Sequence, residues 1–157
     1  MTCSREAGRD SRSGRPVFGE APAGVSCRAR PAAYVVVREP GGRVAVVRAR
    51  AADGTVRCWL PGGESHPGRA ARGDCGSRGS RRAGRAVRLT GRIGDAVQFF
   101  YAHTEQCWYE MAAVFFRGTF EGAPLGAGSD ELSWLDPARE ADSLFHACHA
   151  WAVGQAP

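Results

Sequence analysis

Short apolar stretches separated by turn residues occupy most of the chain, and this pattern predicts a β-rich core. Residues 31–37 read PAAYVVV, a compact β-branched stretch typical of a buried strand. The turn residues 39–42 and the apolar stretch 44–50 after them predict a hairpin. Further strands are predicted at 56–60, 86–93, 96–101, 107–116 and 132–135. The middle of the fold is therefore expected to be sheet.

A helical pattern replaces the strand pattern near the C-terminus. Asp136 and Pro137 provide an N-cap and a first-turn proline, so a helix is predicted to follow them. Apolar residues then recur at helical spacing and predict one face packed on the sheet: Leu144, Phe145, Cys148, Trp151 and Ala152.

Length and composition indicate one globular domain. The chain has 157 residues, of which 43% are hydrophobic and 24% charged, and no apolar stretch approaches the length of a membrane span. Residues 1–16 are polar and are expected to form a mobile tail, which leaves 17–154 as a single domain. The six cysteines form no CxxC pair, so neither a zinc module nor a disulfide scaffold is predicted, and a cytoplasmic location is expected.

Positive charge is concentrated in the first part of the chain. Residues 1–95 carry 19 arginines and 8 acidic residues, whereas residues 96–157 carry 2 and 8, and there is no lysine. The abundance of Arg, Ala, Gly and Pro fits a GC-rich gene, so part of the +5 net charge has a codon origin. Phosphorylated small molecules fit such a surface, while nucleic acid is disfavoured because no base-reading motif accompanies it.

Spacing rather than composition is informative in residues 60–84, which read LPGGESHPGRAARGDCGSRGSRRAG. This segment resembles the box of the Nudix family, which follows a strand ending in Leu-Pro-Gly-Gly. The box runs Gly, five residues, Glu, seven residues, Arg-Glu, an aliphatic, any residue, Glu-Glu, any residue, Gly. Its frame fits from Gly63 to Gly84 without a gap. The resemblance continues at 18–20, 30–34, Trp134 and 146–153.

The resemblance implies an α+β protein, an α/β/α sandwich around a central mixed sheet with the C-terminal helix packed on it. It also implies hydrolysis of a nucleoside diphosphate linked to another group, with Mg²⁺ or Mn²⁺ and with a nucleotide-type small molecule as partner. The phosphate and substrate loop would comprise five residues: Pro61, Gly62, Gly63, Glu64 and Gly84. Glu110 and Glu131 resemble acidic residues that assist the site in relatives.

The box departs from the family at every metal-binding carboxylate. Arginine stands at all four positions that should hold glutamate: Arg69, Arg78, Arg81 and Arg82. A guanidinium has no acceptor and repels a cation, so no catalytic residue is intact, no metal ligand can be assigned, and hydrolysis is expected to be lost or weak. The alternative function is a pseudoenzyme that binds a nucleotide or phosphate without metal.

Three explanations of this arginine-rich segment stay open. The arginines bind phosphate directly, or they form a solvated charged face, or two compensating frameshifts in the gene replaced the acidic codons, because GAG or GAA read one base late begins AG. The third explanation predicts that a verified native gene and the intact mass of its product differ from the printed sequence.

The secondary structure of the same segment is also open. Gly73, Gly76 and Gly79 would each cost about 1 kcal/mol inside a helix, and only small residues are available to face a core. A weak helix, a loop and disorder are the alternatives. If a helix forms, its spacing predicts a cationic ridge of Arg78, Arg81, Arg82 and Arg85.

Other candidate residues have two interpretations each. Phe99, Tyr101 and Trp108 are predicted either to stack a nucleobase or to pack in the core. His146, Cys148 and His149 form either a metal cluster or part of a packed helix face, and packing is favoured because supporting ligands are lacking. Cys75 lies among arginines that would make an exposed thiol reactive, although an ordinary packed residue is favoured.

Overall fold

The computed structural model describes residues 8–9, 14–51, 53–66, 71–126 and 131–157, and for Gly8, Arg9 and Asp74 it describes the backbone alone. Arg69 therefore lies outside the described residues. So does most of the tail predicted at 1–16, but two of its residues form strand β1 (Gly8–Arg9), which pairs with β2 (Pro16–Phe18). Within the described ranges, no helix is long and apolar enough to cross a membrane.

Seven further strands complete two sheets in the described part of the chain. They are β3 (Cys27–Val37), β4 (Val44–Arg50), β5 (Val56–Trp59), β6 (Gly62–Glu64), β7 (Ala86–Ala102), β8 (Cys107–Glu121) and β9 (Glu131–Leu135). The larger sheet has the order β1-β2-β7-β8-β3-β6 and is mixed, because β2 runs parallel to β7 and β3 parallel to β8. The smaller sheet, β5-β4-β9, is antiparallel.

The side chains of β3 point alternately to the two faces of the larger sheet, and both faces are covered. Ala33, Val35 and Val37 point to the side of α1 (Ala71–Ala83), where they cluster with Cys75. Tyr34 and Val36 point to the opposite side, where they cluster with Cys148 of α3 (Ala147–Gln155). Because successive side chains of a strand face opposite ways, an all-apolar strand must be covered twice. The predicted α/β/α sandwich with a mixed sheet is confirmed.

The hairpin predicted around residues 39–42 is wrong in its pairing. The turn forms, with the Gly42 N–H donating to the Glu39 carbonyl at 2.9 Å. Beyond an isolated bridge between Arg38 and Val44, however, β3 and β4 enter different sheets. The physical reason is that β3 is already paired on both edges, with β8 and β6, so β4 pairs with β5 and β9 instead.

The strands predicted at 86–93 and 96–101 are one continuous strand, β7, paired with a β8 that is longer than predicted. Shifts of register between Leu89 and Gly91 and between Arg92 and Gly94 interrupt the pairing without ending it. Irregularities of this kind absorb an extra residue while the ladder continues. The glycines that suggest a break from sequence therefore mark bulges.

Residues 71–83 form a helix, so the loop and disorder alternatives for this segment are wrong. Ala71, Cys75, Gly79 and Ala83, four residues apart, make one face of small side chains against the sheet. Cys75 is fully buried, and a Cβ atom on Gly79 would lie 3.4 Å from Val35 Cγ1. Close approach of the helix replaces the large apolar stripe that the sequence lacks, because packing supplies most helical stability in proteins.

The C-terminal helix is interrupted. Asp136 caps a short helix α2 (Pro137–Glu140) as predicted, its Oδ1 accepting the Ala138 N–H at 3.0 Å, and a 3-10 turn (Ala141–Ser143) follows. Leu144 then bridges to Cys58, and α3 begins only at Ala147. Leu144 and Phe145, predicted on the helical stripe, are thus extended because the edge of β5 pairs with them, and the Phe145 N–H donates to the Cys58 carbonyl.

Candidate functional site

A cleft of about 570 Å³ opens where the two sheets meet. Its charged lining comes from distant parts of the chain: Arg30, Arg50, Asp53, Arg57 and Arg82. Aromatic rings supply much of the remaining wall: Tyr34, Trp59, Phe100, Tyr101 and Phe145, with His103 and His146 beside them. The cleft therefore combines positive charge with flat apolar surfaces.

The Gly62-Gly63 turn forms part of the cleft wall, and only glycine fits there. Gly62 has φ of 140°, and a Cβ atom on it would lie 2.2 Å from the Ala33 carbonyl oxygen. Gly63 has φ of 152° and pairs with Ala33 across the ladder between β3 and β6. Residues with side chains rarely adopt these angles, so the predicted close approach is confirmed, although the two glycines, called the glycine turn below, begin strand β6.

Helix α1 places two arginines over this turn. A Cβ atom on Gly63 would lie 3.7 Å from both Nε and Nη2 of Arg82 and 3.8 Å from Cδ of Arg78. Arg82 lines the cleft, and Arg78 Nη2 lies 2.6 Å from His66 Nε2. Because the guanidinium has only donors, His66 accepts through that nitrogen.

The cationic ridge predicted from helical spacing is shorter than four arginines. Arg81 is exposed and is not among the cleft-lining residues that the structure describes. Arg85 follows the end of α1, and its guanidinium lies 5.1 Å from the centre of the Phe120 ring. The helix stops at Ala83, so Arg85 leaves the ridge, and of the four predicted arginines Arg78 and Arg82 face the glycine turn.

Two further arginines of the cleft, Arg30 and Arg57, are positioned by aromatic rings and by carboxylates. The Arg30 guanidinium lies 5.1 Å from the Tyr109 ring centre, and its Nη2 lies 4.0 Å from a Glu64 oxygen. Arg57 lies 4.9 Å from the Phe145 ring centre and 3.0 Å from Asp53 Oδ2. Guanidinium groups positioned over rings lose less freedom when they bind a ligand.

Asp53 is a carboxylate at the rim, and it stays ionised. Hydrogen bonds from Thr55, together with the bond from Arg57, lower the pKa of Asp53 to about 2. Arg50 donates to the Gly54 carbonyl in the same loop at 2.7 Å. The described lining thus contains four arginines and this one carboxylate.

The residues around the cleft do not fit a magnesium or manganese ion. Such ions need several oxygen ligands, yet no group of three or more His, Cys, Asp or Glu side chains in the described ranges is arranged to hold a metal. Glu64 is half exposed beside Arg30, and Glu110 and Glu131 are exposed residues outside the cleft lining. The two candidate acids, Glu110 and Glu131, are therefore not brought to the glycine turn.

The structure brings only some of the other predicted site residues together. Pro61 is buried directly before the glycine turn, while Gly84 is buried behind α1, its carbonyl accepting the Leu125 N–H at 2.8 Å. Of the candidate stacking rings, Tyr101 lines the cleft, whereas Phe99 and Trp108 are not among the described lining residues.

Three residues that line the cleft are not among the site residues predicted from the sequence: Arg57, Trp59 and Phe145. Arg57 and Trp59 are two residues apart in β5, directly before Leu-Pro-Gly-Gly, so their side chains share one face of the strand. This spacing is a sequence signal for a pair of site residues. Phe145 reaches the cleft only because the chain is extended before α3. No local pattern reveals that break.

Two neutral histidines lie next to each other, His146 in the cleft lining and His149 behind it. His149 is fully buried and accepts the Leu60 N–H through Nδ1 at 3.2 Å, and burial holds its pKa well below the ordinary value. His146 packs its ring 4.7 Å from that of Phe100, and burial, with a smaller effect of Arg30, lowers its pKa to about 3. Burial raises the pKa of Cys148 to about 12. Packing, rather than a metal cluster, describes these residues.

Cys75 is likewise unreactive. It is fully buried under α1, and burial raises the pKa of its thiol to about 12. The alternative of a reactive thiol among arginines is wrong, because that reactivity requires an exposed thiol.

Comparison with known proteins identifies the fold. No family model matches the sequence, and no curated protein matches it either. Among solved structures, a NUDIX hydrolase from Nitrosomonas europaea superimposes with a TM-score of 0.64 at 11% identity, covering 82% of this chain and 88% of that one. A MutT protein from Methanosarcina mazei Go1 gives 0.63 at 15% identity, with coverages of 83% and 94%.

An ADP-ribose pyrophosphatase from Streptococcus suis is also similar, with a TM-score of 0.54, 12% identity and coverages of 79% and 88%. At such low identities the likeness concerns the fold. The chain has the Nudix hydrolase fold, as its resemblance to that family implies.

Proposed function

We propose that this chain binds the diphosphate of a nucleotide in its cleft directly through arginine, without a divalent metal ion, and that it has little or no hydrolytic activity. The observation that carries the proposal is the cleft lining, whose described residues include four arginines and one carboxylate, with Arg82 over Gly63. In this position the family would have a glutamate-bound metal ion. Positive charge is present there too, but an arginine side chain provides it instead of a metal ion.

The phosphate-binding end is the region of the glycine turn. Gly62 and Gly63 carry no side chain, so a ligand can approach the backbone closely beside Arg82. Guanidinium groups match phosphate oxygens with paired hydrogen bonds, and each such charge-assisted bond contributes about 1.5–3 kcal/mol. Arg30 and Arg57 extend the positive surface from this end along the cleft.

The nucleoside end is the aromatic part of the cleft. Trp59 and Phe145 lie with ring centres 5.3 Å apart, and Phe100 and Tyr101 lie on the strand opposite. Stacking of a base on aromatic rings contributes about 1–3 kcal/mol per base. The ADP-ribose pyrophosphatase among the similar structures has a nucleoside diphosphate in its substrate, which supports the same ligand class here.

Hydrolysis of the pyrophosphate would need a deprotonated water and neutralisation of developing charge, tasks that carboxylate-bound metal ions perform. The described residues at the glycine turn provide cations that repel a metal ion instead. Binding without turnover is therefore the function that the geometry supports best. Metal-dependent hydrolysis of a nucleoside diphosphate derivative is the rival.

Calorimetric titration of ADP at low ionic strength, with either excess EDTA or excess Mg²⁺, tests the proposal. We expect the same dissociation constant with EDTA as with Mg²⁺. Arg82→Ala should weaken binding roughly tenfold to a hundredfold, corresponding to the loss of one charge-assisted bond of about 1.5–3 kcal/mol. Arg139→Ala is the matched control, because Arg139 is exposed on α2 and pairs only loosely, at 3.8 Å, with Asp136.

A second measurement distinguishes the proposed binding function from its rival, metal-dependent hydrolysis. Phosphate or nucleoside monophosphate released from ADP-ribose and related compounds is followed with Mg²⁺ or Mn²⁺ present. Turnover that EDTA abolishes would favour the hydrolase and contradict the proposal. Binding that requires metal, or that is unchanged in Arg82→Ala, would contradict it equally.

A further inference from the structure

His146 is a buried polar side chain that the fold itself does not use. It is 5% exposed, lines the cleft, and makes no hydrogen bond to any residue that the structure describes. Although it occupies the N-cap position of α3, its side chain does not cap the helix. Its ring packs on neighbouring rings, but its nitrogen atoms are left for a partner that enters the cleft.

The neighbouring histidine shows what a structural role requires. His149 accepts the Leu60 N–H through Nδ1 and is fully buried against Tyr34, with ring centres 4.2 Å apart. It is not among the described residues that line the cleft. The two histidines are one helical turn apart, yet they differ in access: His149 is closed off, with Nδ1 bonded to the backbone and Nε2 buried without a hydrogen bond to any described residue, whereas His146 opens to the cleft.

The surroundings of His146 suit a flat, uncharged ligand group. Its ring centre lies 4.7 Å from those of both Phe100 and Phe145. Because burial and the charge of Arg30 lower its pKa to about 3, the ring is neutral under ordinary conditions and offers one donor and one acceptor. A neutral imidazole does not attract phosphate by charge, but it pairs well with the mixed donors and acceptors of a base.

We propose that His146 hydrogen-bonds the nucleobase of the bound nucleotide and determines which base the cleft prefers. This inference rests on the function proposed above. Phosphate is bound by the arginines, and the aromatic walls hold any base, whereas the ring nitrogens of His146, buried between Phe100 and Phe145, can distinguish one base from another. If His146 is replaced, the edge of the base loses its hydrogen-bond partner, and the nucleotide should bind less tightly.

The test compares pyrophosphate with ADP, GDP, UDP and CDP by calorimetry. The wild-type chain should bind at least one nucleoside diphosphate more tightly than pyrophosphate and should rank the bases. His146→Phe should weaken the preferred nucleotide at least about fivefold and flatten the ranking, whereas pyrophosphate affinity stays unchanged and reports an intact cleft. His146→Gln, which keeps a donor and an acceptor, should restore part of the preference.

Nuclear magnetic resonance of the wild-type imidazole ¹⁵N nuclei provides a measurement that does not depend on a variant folding. The His146 ring resonances should shift on addition of the preferred nucleotide and stay in place with pyrophosphate. An unchanged ranking in a folded His146→Phe chain, or equal shifts with both ligands, would overturn the inference alone. Absence of binding by pyrophosphate and by every nucleotide would overturn the proposed function, and this inference with it.

Discussion

The two faces of the larger sheet are covered by helices that pack in opposite ways. On one face α1 brings small residues, Cys75, Gly79 and Ala83, close to β3. On the other face α3 packs against large rings, with Phe115 and Trp151 5.9 Å apart and His149 fully buried. One face gains stability from close approach and the other from buried aromatic area.

The same helix α1 carries the arginines that stand at the box positions. The α1 residues packed against β3 are small, whereas Arg78 and Arg82 lie over β6 of the same sheet and Arg81 is exposed. Substitution of Arg81 should therefore change the charge of the helix and not the packing of the core. Arg82, whose Nε atom is buried, also contributes to the packing beside the glycine turn.

The largest expected effect tests the aromatic face. Phe115 is fully buried between Tyr34 and Trp151, so Phe115→Ala should lower the free energy of unfolding by about 3–5 kcal/mol. Phe120→Ala is the matched change on the α1 side, where the ring is half-buried beside Trp134, and its cost should be clearly smaller. Urea denaturation measures both, and equal costs would contradict the proposed asymmetry of the two faces.

A second expected effect comes from pH and belongs to the α3 face. His146 and His149 stay neutral in the folded chain, whereas in the unfolded chain they bind protons near pH 6.5. Unfolding thus takes up protons below that pH, and stability should fall as pH drops from about 6.5 towards 3. The slope approaches about 1.4 kcal/mol per pH unit for each histidine.

Urea denaturation across this pH range measures the slope. His146→Phe should make it shallower by about one proton, whereas Phe120→Leu should shift stability at every pH and keep the slope. A His146→Phe chain with the wild-type slope would show that His146 takes up its proton in the folded state as readily as in the unfolded state.

The smallest expected effect is a gain on the α1 face. Gly73 lies inside α1, is exposed, and would place a Cβ atom with nothing within 4 Å, so Gly73→Ala should raise the free energy of unfolding by about 1 kcal/mol. Gly154→Ala in α3 also has open space, but Gly154 is the last residue but one of a shorter helix and should gain less. Thermal unfolding compares them, and a destabilised Gly73→Ala chain would argue against an ordinary helix at this position.

Much of the fold follows from local sequence pattern. The strand at 31–37, the cap at Asp136 and the glycine turn at 62–63 are all located correctly, because alternation, capping and steric demands act over a few residues. The pairing of β4 and the break before α3 are not predicted, since each depends on which edge strands are free for pairing. The helix at 71–83 is left open because its stability comes from contact with β3 and not from its own residues.

The candidate site also has some features that local sequence predicts and others that depend on tertiary structure. The sequence by itself determined that two glycines follow Leu-Pro and that arginine stands where the resemblance to the Nudix box implies glutamate, because both are statements about residue identity at a fixed spacing. Only the tertiary structure decided that Arg30, Arg57 and Arg82 share one cleft and that His146 opens to it as a neutral ring. Proximity and burial arise from the packing of segments far apart in the chain, and no local pattern specifies them.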